Sequence, residues 1–386
     1  MKRLLILFSV CSLFSSCSDQ GTDFLPVEKF SSVFVDGAQD ASYEPLDVIQ
    51  TEDNGYLVLA EAAQDVVFVL KLSPLGKTIW SASLPATFVN PVADLVLSEG
   101  KYYFIASARA DQTAALIEVD DLNQTLAPAQ RTYPGYRNPL AFGRLDTESF
   151  LMLNYNDTTG PVLSKIQSGF AQEWARRFDD AARSDIEISA LRENTNVNFF
   201  VGGFNNGANT FFHSLRQNGY ALTYTDAEGL ETGQISGTAE DRIISYNYLG
   251  NLNGAINYQT NGVSFFQNPL PLQLNDSVPL TALEGDELTD KSRLGNAQIV
   301  NDEVVATTNL INIYDTADGR VKWTNYDITS GAISNIDYIG GSDLIVLKKA
   351  IRTRDGGLLI LSKVSISGSR DRIAVQKIPE EELKGL

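Results

Sequence analysis

Residues 47–84 read DVIQTEDNGYLVLAEAAQDVVFVLKLSPLGKTIWSASL, and part of this stretch returns late in the chain. TEDNGYLVLAE (51–61) comes back as TRDGGLLILSK (353–363). The first copy divides into strand-like runs at Asp47–Thr51, Tyr56–Ala60, Val66–Leu72 and Thr78–Ser83. The runs are rich in β-branched and aromatic residues. Asp53-Asn54-Gly55 and Pro74-Leu75-Gly76 punctuate them as turns.

The same grammar recurs along the chain. ADLVLSEGKYYFIASARADQTAALIEVDDLNQTLAPAQRT covers 93–132 and LAFGRLDTESFLMLNYNDTTGPVLSKIQSGFAQEWARRF covers 140–178. EISALRENTNVNFFVGGFNNGANTFFHSLRQNGYALTYT covers 187–225. Units starting at 47, 93, 140 and 187 recur about every 46 residues. A further unit opens near Gln298 and the last near Lys349, while 232–290 is degenerate, with an insertion around Asn268–Asp290. A period of this length made of short strands predicts an all-β fold, a β-propeller of mostly four-stranded antiparallel sheets. Seven blades fit best, with six or eight as alternatives. The final unit is only half a blade. Phe30–Val35 (FSSVFV) supplies its missing strand, or the terminal segment completes the first blade; either way the two chain ends share a blade.

Each of the three tryptophans follows a strand and a glycine turn, in GKTIW (76–80), GFAQEW (169–174) and GRVKW (319–323). Read at one repeat position, the indoles pack blade on blade. Together with LKLSPLGKTIW and IYDTADGRVKW, they resemble the PQQ-type propeller repeat of quinoprotein dehydrogenases and of the BamB-like outer-membrane assembly lipoproteins. The resemblance spans roughly residues 45–380. It implies a propeller, and its lipoprotein branch implies an accessory subunit of an outer-membrane complex. Its enzymatic branch implies a quinone and calcium held in the central funnel. No cofactor is expected here, because the tryptophans sit at the structural repeat position and no vicinal cysteines remain beyond the leader.

The chain has 386 residues and a formal charge of −18, which argues against a nucleic-acid partner. Lys2 and Arg3 precede an apolar run from Leu4 to Phe14 that is too short to span a bilayer. Residues 1–16 read as a signal peptide, whose removal takes the charge to −20. Ser15-Ser16 before Cys17 resembles a lipobox, although the minus-three position carries Phe14 beside Leu13. That resemblance implies that Cys17 is the lipidation site, that 17–29 is a lipidated tether and that 30–386 is a single propeller domain. An ordinary secretory signal cut near Ser16 is the alternative. Ser18 fits sorting to the outer membrane, and Asp19 resembles surface-export signals of Bacteroidota lipoproteins, so the periplasmic face and the cell surface both stay open. Cys11 and Cys17 are the only cysteines, leaving the folded domain without thiols.

No catalytic or metal site is expected. His213 is the one histidine and lies among Phe211, Phe212 and Leu215, which points to a structural or rim position. No G-x-S-x-G elbow accompanies it. Asp120-Asp121, Asp179-Asp180 and Glu380–Glu382 read as turns and a solvated tail. DTADG (315–319) and YNDTTG (155–160) lack EF-hand spacing and read as Asx turns. Tyr133, Tyr136, Tyr246 and Tyr248 fall in loop-like stretches where rings can stack on a glycan or a protein. The proline-rich insertion QNPLPLQLNDSVPL (267–280) offers Leu270, Leu272, Leu274 and Leu280 as an interface. The expected function is a non-enzymatic protein-binding scaffold, anchored to the membrane by its lipid and partnered in the outer membrane. A glycan-binding or adhesive surface lipoprotein is the alternative, and a carboxylate-based hydrolase comes third.

Overall fold

A computed structural model describes residues 28–35, 41–63, 65–156, 160–178, 187, 197–301, 309–328, 331–341, 343–365 and 370–385. Seven small sheets form a ring, so the chain is a seven-bladed β-propeller. Blade 1 is Tyr43–Gln50, Tyr56–Ala62, Val66–Leu72 and Thr78–Ser83, in that order from the axis outward. The turns follow the expected punctuation, with Asn54 (φ 63°) and Gly76 (φ 73°) in the left-handed region.

Blades 2 to 6 repeat the meander. Their innermost strands are Phe88–Val89 together with Val96–Ser98, then Pro139–Arg144, Val201–Phe204, Arg242–Gly250 and Ala297–Asn301. Blade 7 contains Leu344–Arg352, Leu358–Ser365 and Asp371–Ile378, and its outermost strand comes from the other end of the chain. Phe30–Val33 is that strand and pairs antiparallel with Asp371–Ile378, Phe30 opposite Lys377 and Val33 opposite Ala374. Of the two closures open in the sequence, the N-terminal strand is therefore the one used. Cys17 and the tether up to residue 27 lie outside the described residues.

The duplicated stretches prove to be neighbours. TEDNG and TRDGG are the first turns of blades 1 and 7, which meet at the closure. Arg354 N–H donates to Gln50 Oε1 (2.8 Å), and its guanidinium donates to Thr51 O (3.0 Å) and Glu52 O (3.3 Å). Both turns share one construction. Thr51 Oγ1 donates to Asp53 Oδ1, as Thr353 Oγ1 does to Asp355 Oδ1, each at 2.5 Å. A fully buried lysine from the third strand then neutralises each aspartate, Lys71 for Asp53 (2.9 Å) and Lys377 for Asp355. Lys71 also reaches Asp121 of blade 2 (2.6 Å), which accepts the Trp80 indole N–H (2.9 Å). The repeat thus marks a turn, its buried counter-ion and, in blade 1, a bolt to the next blade.

The core lies between blades. Leu57, Leu59, Val67 and Val69 of blade 1 pack on Phe104 and Ile117 of blade 2, all with no exposed surface. Each such side chain contributes about 2 kcal/mol by leaving water.

Two expectations need correction. Trp80 and Trp174 lie in outermost strands, but Trp323 lies in the third strand of blade 6 (Val321–Asp327), one place further in. Ile333–Ile339 follows as a fourth strand, so the three indoles do not share one repeat position, and Trp323 is wholly buried. The insertion also differs from an exposed interaction element. Its first part continues the blade 5 strand Val263–Pro271, and Ser277–Pro279 then pairs in parallel with the outer strand of blade 4, Glu231–Ser236. Leu270 and Leu280 are 1% exposed, and Leu272 and Leu274 pack half-buried on the same cluster. These leucines hold blade 5 to blade 4 and are not an open interface. The seat is tight: a Cβ on Gly233 would stand 1.9 Å from Gln273 O.

The seam is sealed by Phe30, whose ring lies 6.0 Å from that of Tyr56 and over Gly76. A Cβ on Gly76 would meet that ring at 2.4 Å, at a φ that already disfavours a side chain. Gly76→Ala is expected to lower stability by about 1–3 kcal/mol through overpacking. Thermal melting measures the loss, and limited proteolysis should show the N-terminal strand released before any other segment.

Candidate functional site

Seven innermost strands surround a central channel whose cavity measures about 2090 Å³. It is walled by inner strands of blades 3 to 7 and opens toward their first turns, among them Asp146–Glu148, Asn205–Gly207 and Arg352–Gly356. The geometry of the ring creates this site, because each blade contributes only a few inward atoms.

Most charges in the channel are engaged. Lys349, on the inner strand of blade 7, lies 3.2 Å from Asp47 of blade 1 and 3.0 Å from Asp94 at the start of blade 2. Asp47 also accepts Leu95 N–H (2.5 Å), so one lysine and one carboxylate join three blades. Burial pushes the Asp94 carboxyl up to about 6 against the pull of Lys349, with Asp47 adding repulsion, because two carboxylates share one cation. Burial opposes the Lys349 charge, and the two carboxylates outweigh it, holding the ammonium above the usual lysine range. Lys165 pairs with Glu173 (3.1 Å), and Asp146 accepts Ser149 Oγ (2.8 Å) and Glu148 N–H (2.7 Å).

A run of amides and a phenol crosses the mouth from blade 4 to blade 6. Asn205 Oδ1 accepts Tyr248 O–H (3.2 Å). Asn247 Nδ2 donates to Asn301 Oδ1 (3.1 Å) and to Ile299 O (3.1 Å), and Asn301 Nδ2 donates to Tyr248 O (3.2 Å). Of this set the sequence singled out only Tyr248 and its neighbours; the asparagines carry no signal until the ring juxtaposes them.

The other singled-out residues are structural. His213 is 1% exposed, with its ring near Phe199, Phe200 and Tyr220. Its Nδ1–H donates to Asn198 O (2.6 Å), and burial lowers the imidazole to about 4, so it stays neutral. Tyr246 is buried against Phe211, and Tyr133 and Tyr136 belong to the blade 2 strand Thr125–Arg137 rather than to a loop. Asp315 of DTADG accepts Leu347 N–H (2.7 Å) and Asn296 N–H (2.8 Å), which ties blade 6 to blade 7. Residues 157–159 of YNDTTG and Asp179-Asp180 lie outside the described residues. Among the described residues no group of three His, Cys, Asp or Glu is placed to hold a metal, and no helix is long and apolar enough to cross a membrane.

Outside the channel, blade 6 carries an apolar strip. Its outermost strand Ile333–Ile339 leaves Ile333 53%, Ile336 45% and Tyr338 38% exposed. Arg320 lies 4.3 Å over the Tyr338 ring, and Leu344 (53% exposed) lies against Gly319, so the strip reaches the edge of blade 7. The Ile336 and Tyr338 N–H groups bond to Asn335 Oδ1 (2.8 Å) and Asp337 Oδ1 (2.7 Å), guarding the open edge against indiscriminate pairing.

No protein-family model matches the chain, and no curated protein matches it. Among solved structures, the Dos1 propeller is similar at 12% identity and a TM-score of 0.47, over 86% of this chain and 78% of that one. That likeness concerns the fold and transfers no residue or activity.

Lys349→Met is expected to cost about 3 kcal/mol, since it strands the buried Asp47 carboxylate beside the partly buried Asp94. Adding Asp94→Asn should return part of the loss, and chemical denaturation of the single and double variants checks both. His213 gives a pH signature. Its folded pKa lies below its unfolded one, so its stabilisation is complete above pH 6.5 and is lost as pH falls toward 4. Across that window the wild-type chain should lose about 3 kcal/mol relative to His213→Asn. Parallel pH dependences would show that the ring is not held neutral.

Proposed function

We propose that the protein is a non-enzymatic scaffold in which a lipid-anchored propeller presents its outer surface to a protein of the outer membrane. The apolar strip on blade 6 carries this reading. Ile333, Ile336, Tyr338 and Leu344 remain exposed in a fold that uses even its insertion leucines internally. The paired state of Asp94, Asp146 and Glu173 supports a binding role over a hydrolytic one. The anchor at Cys17, the outer-membrane location and the kinship with PQQ-type lipoproteins belong to the same proposal and rest on the leader and repeat motifs. The displaced Trp323 weakens the last of these.

Tagged protein purified from its native host in mild detergent should retain a stoichiometric outer-membrane partner. Ile336→Glu should release that partner without changing the melting temperature, and Cys17→Ala should move the protein to the soluble fraction. Retention of the partner by Ile336→Glu, or no stoichiometric partner at all, would overturn the scaffold reading on this surface. A second reading, glycan binding, is favoured by the amides crossing the channel mouth. Retardation in polysaccharide gels that Asn301→Leu abolishes would support it.

A further inference from the structure

EGDELTD (284–290) puts four carboxylates and no cation along the outer edge of blade 5. Its short strand Asp286–Glu287 pairs with Phe265 and Phe266. Glu284, Asp286 and Glu287 are exposed and, among the described residues, take part in no ion pair. Asp290 differs, since it holds Lys322 at 2.7 Å.

This acidic ridge runs beside the apolar strip of blade 6 and meets it at both ends. At one end Asp286 stands opposite Phe266, whose ring lies 5.1 Å from that of Tyr326, and Tyr326 stands opposite Ile333. At the other end Lys322, held by Asp290, stands opposite Tyr338 and lies 5.7 Å from its ring. Ile336 is two residues from Tyr338 and so shares its face of the strand. Burial pushes the Tyr326 phenol up, and Asp286 and Asp290 add to the shift, as carboxylates beside the floor between ridge and strip would. From Ile333 to Tyr338 the strip is about 17 Å long.

The cations of this region are already used. Lys322 serves Asp290, and Arg320 is held by Asp318 (2.6 Å). Exposed apolar side chains therefore lie beside three uncompensated carboxylates. We propose that the surface between the outer edges of blades 5 and 6 docks a basic amphipathic segment of a partner protein. Its apolar side chains cover Ile333, Ile336 and Tyr338, and its lysines or arginines meet Glu284, Asp286 and Glu287. The inference rests on the scaffold reading, whose apolar strip it shares, and adds the chemistry of the partner. An anionic lipid surface is repelled by the ridge, and a second copy of the chain brings the same net charge of −18. The Ile336 and Tyr338 N–H groups are bonded to side chains of their own strand, so the segment docks through its side chains rather than as an added strand.

The test uses the full chain and a fluorescent short peptide that alternates lysine with leucine and phenylalanine, beside counterparts carrying serine or glutamate in place of lysine. By anisotropy at low salt the lysine peptide should bind saturably, about tenfold tighter than the serine peptide, and the glutamate peptide should not bind. Asp286→Asn with Glu287→Gln should weaken the lysine peptide about fivefold and leave the serine peptide unchanged. Glu52→Gln with Glu99→Gln, which removes the same charge on blades 1 and 2, should weaken it less than about twofold. Ile336→Ser should weaken both peptides about fivefold. Equal binding of the lysine and serine peptides, equal weakening by the two charge pairs, no saturable binding of the lysine peptide, or a wild-type dimer that Ile336→Ser dissolves would each overturn the proposal. In the native-host purification, a partner lost on Ile336→Glu but kept when Asp286 and Glu287 are neutralised would overturn it and leave the scaffold reading in place. Peptide binding that passes every test while the wild-type chain retains no partner would remove the scaffold reading alone.

Discussion

The seam between blades 7 and 1 is the constraint on which the rest of the molecule depends. Most other interfaces join blades consecutive in sequence, whereas the closure brings together segments separated by as many as 353 residues, as between Lys29 and Glu382. Closing a loop of that length costs about 5 kcal/mol of chain entropy. Four residues of strand pairing would offset it poorly alone. The seam therefore concentrates polar and ionic ties. Glu44 takes Lys348 and Lys363, Asp47 takes Lys349, and Arg372 donates to Ala41 O. Phe30 closes the outer end over Gly76.

The same economy shapes the blade interfaces elsewhere. Inner-strand side chains reach across to neighbouring backbone. Asn296 donates to Leu347 O (2.6 Å), Gln298 to Lys348 O (2.7 Å) and Asn247 to Ile299 O (3.1 Å). These bonds fix the radial position of each blade, while the aliphatic layers between blades supply most of the energy. The channel is consequently lined by polar groups, with most of its charges engaged. Exposed apolar side chains cluster instead on the outside of blade 6, at Ile333, Ile336 and Tyr338.

Much of the fold was legible because the strands obey local rules. The four runs read in 47–84 match the blade 1 strands to within a few residues, since β-branched runs between Asn, Asp, Gly and Pro turns leave few alternatives. Legibility failed where two frames fit the same residues. Near Gln298 the Gly-turn and Trp pattern puts Trp323 at the same repeat position as Trp80, but Ile333–Ile339 adds another strand outside it. The period alone cannot say which hairpin begins at the axis, because antiparallel neighbours look alike in sequence. The insertion misled for a related reason: a proline-rich apolar segment reads as exposed when it departs from the period, yet here it pairs in parallel with the blade behind it.

The sequence by itself determined the strand grammar, the repeat and hence a propeller, and it marked the two turns that meet at the closure. Those features depend on residues near one another in the chain. Only the tertiary structure decided that the N-terminal strand closes the ring, that Lys349 is shared by Asp47 and Asp94, and that Asn205, Asn247 and Asn301 line one mouth. Each of these joins residues distant in sequence, and their proximity depends on how many blades the ring holds and which strand stands at the axis. Local propensity carries no information about either, because both are settled by packing and by the geometry of closure.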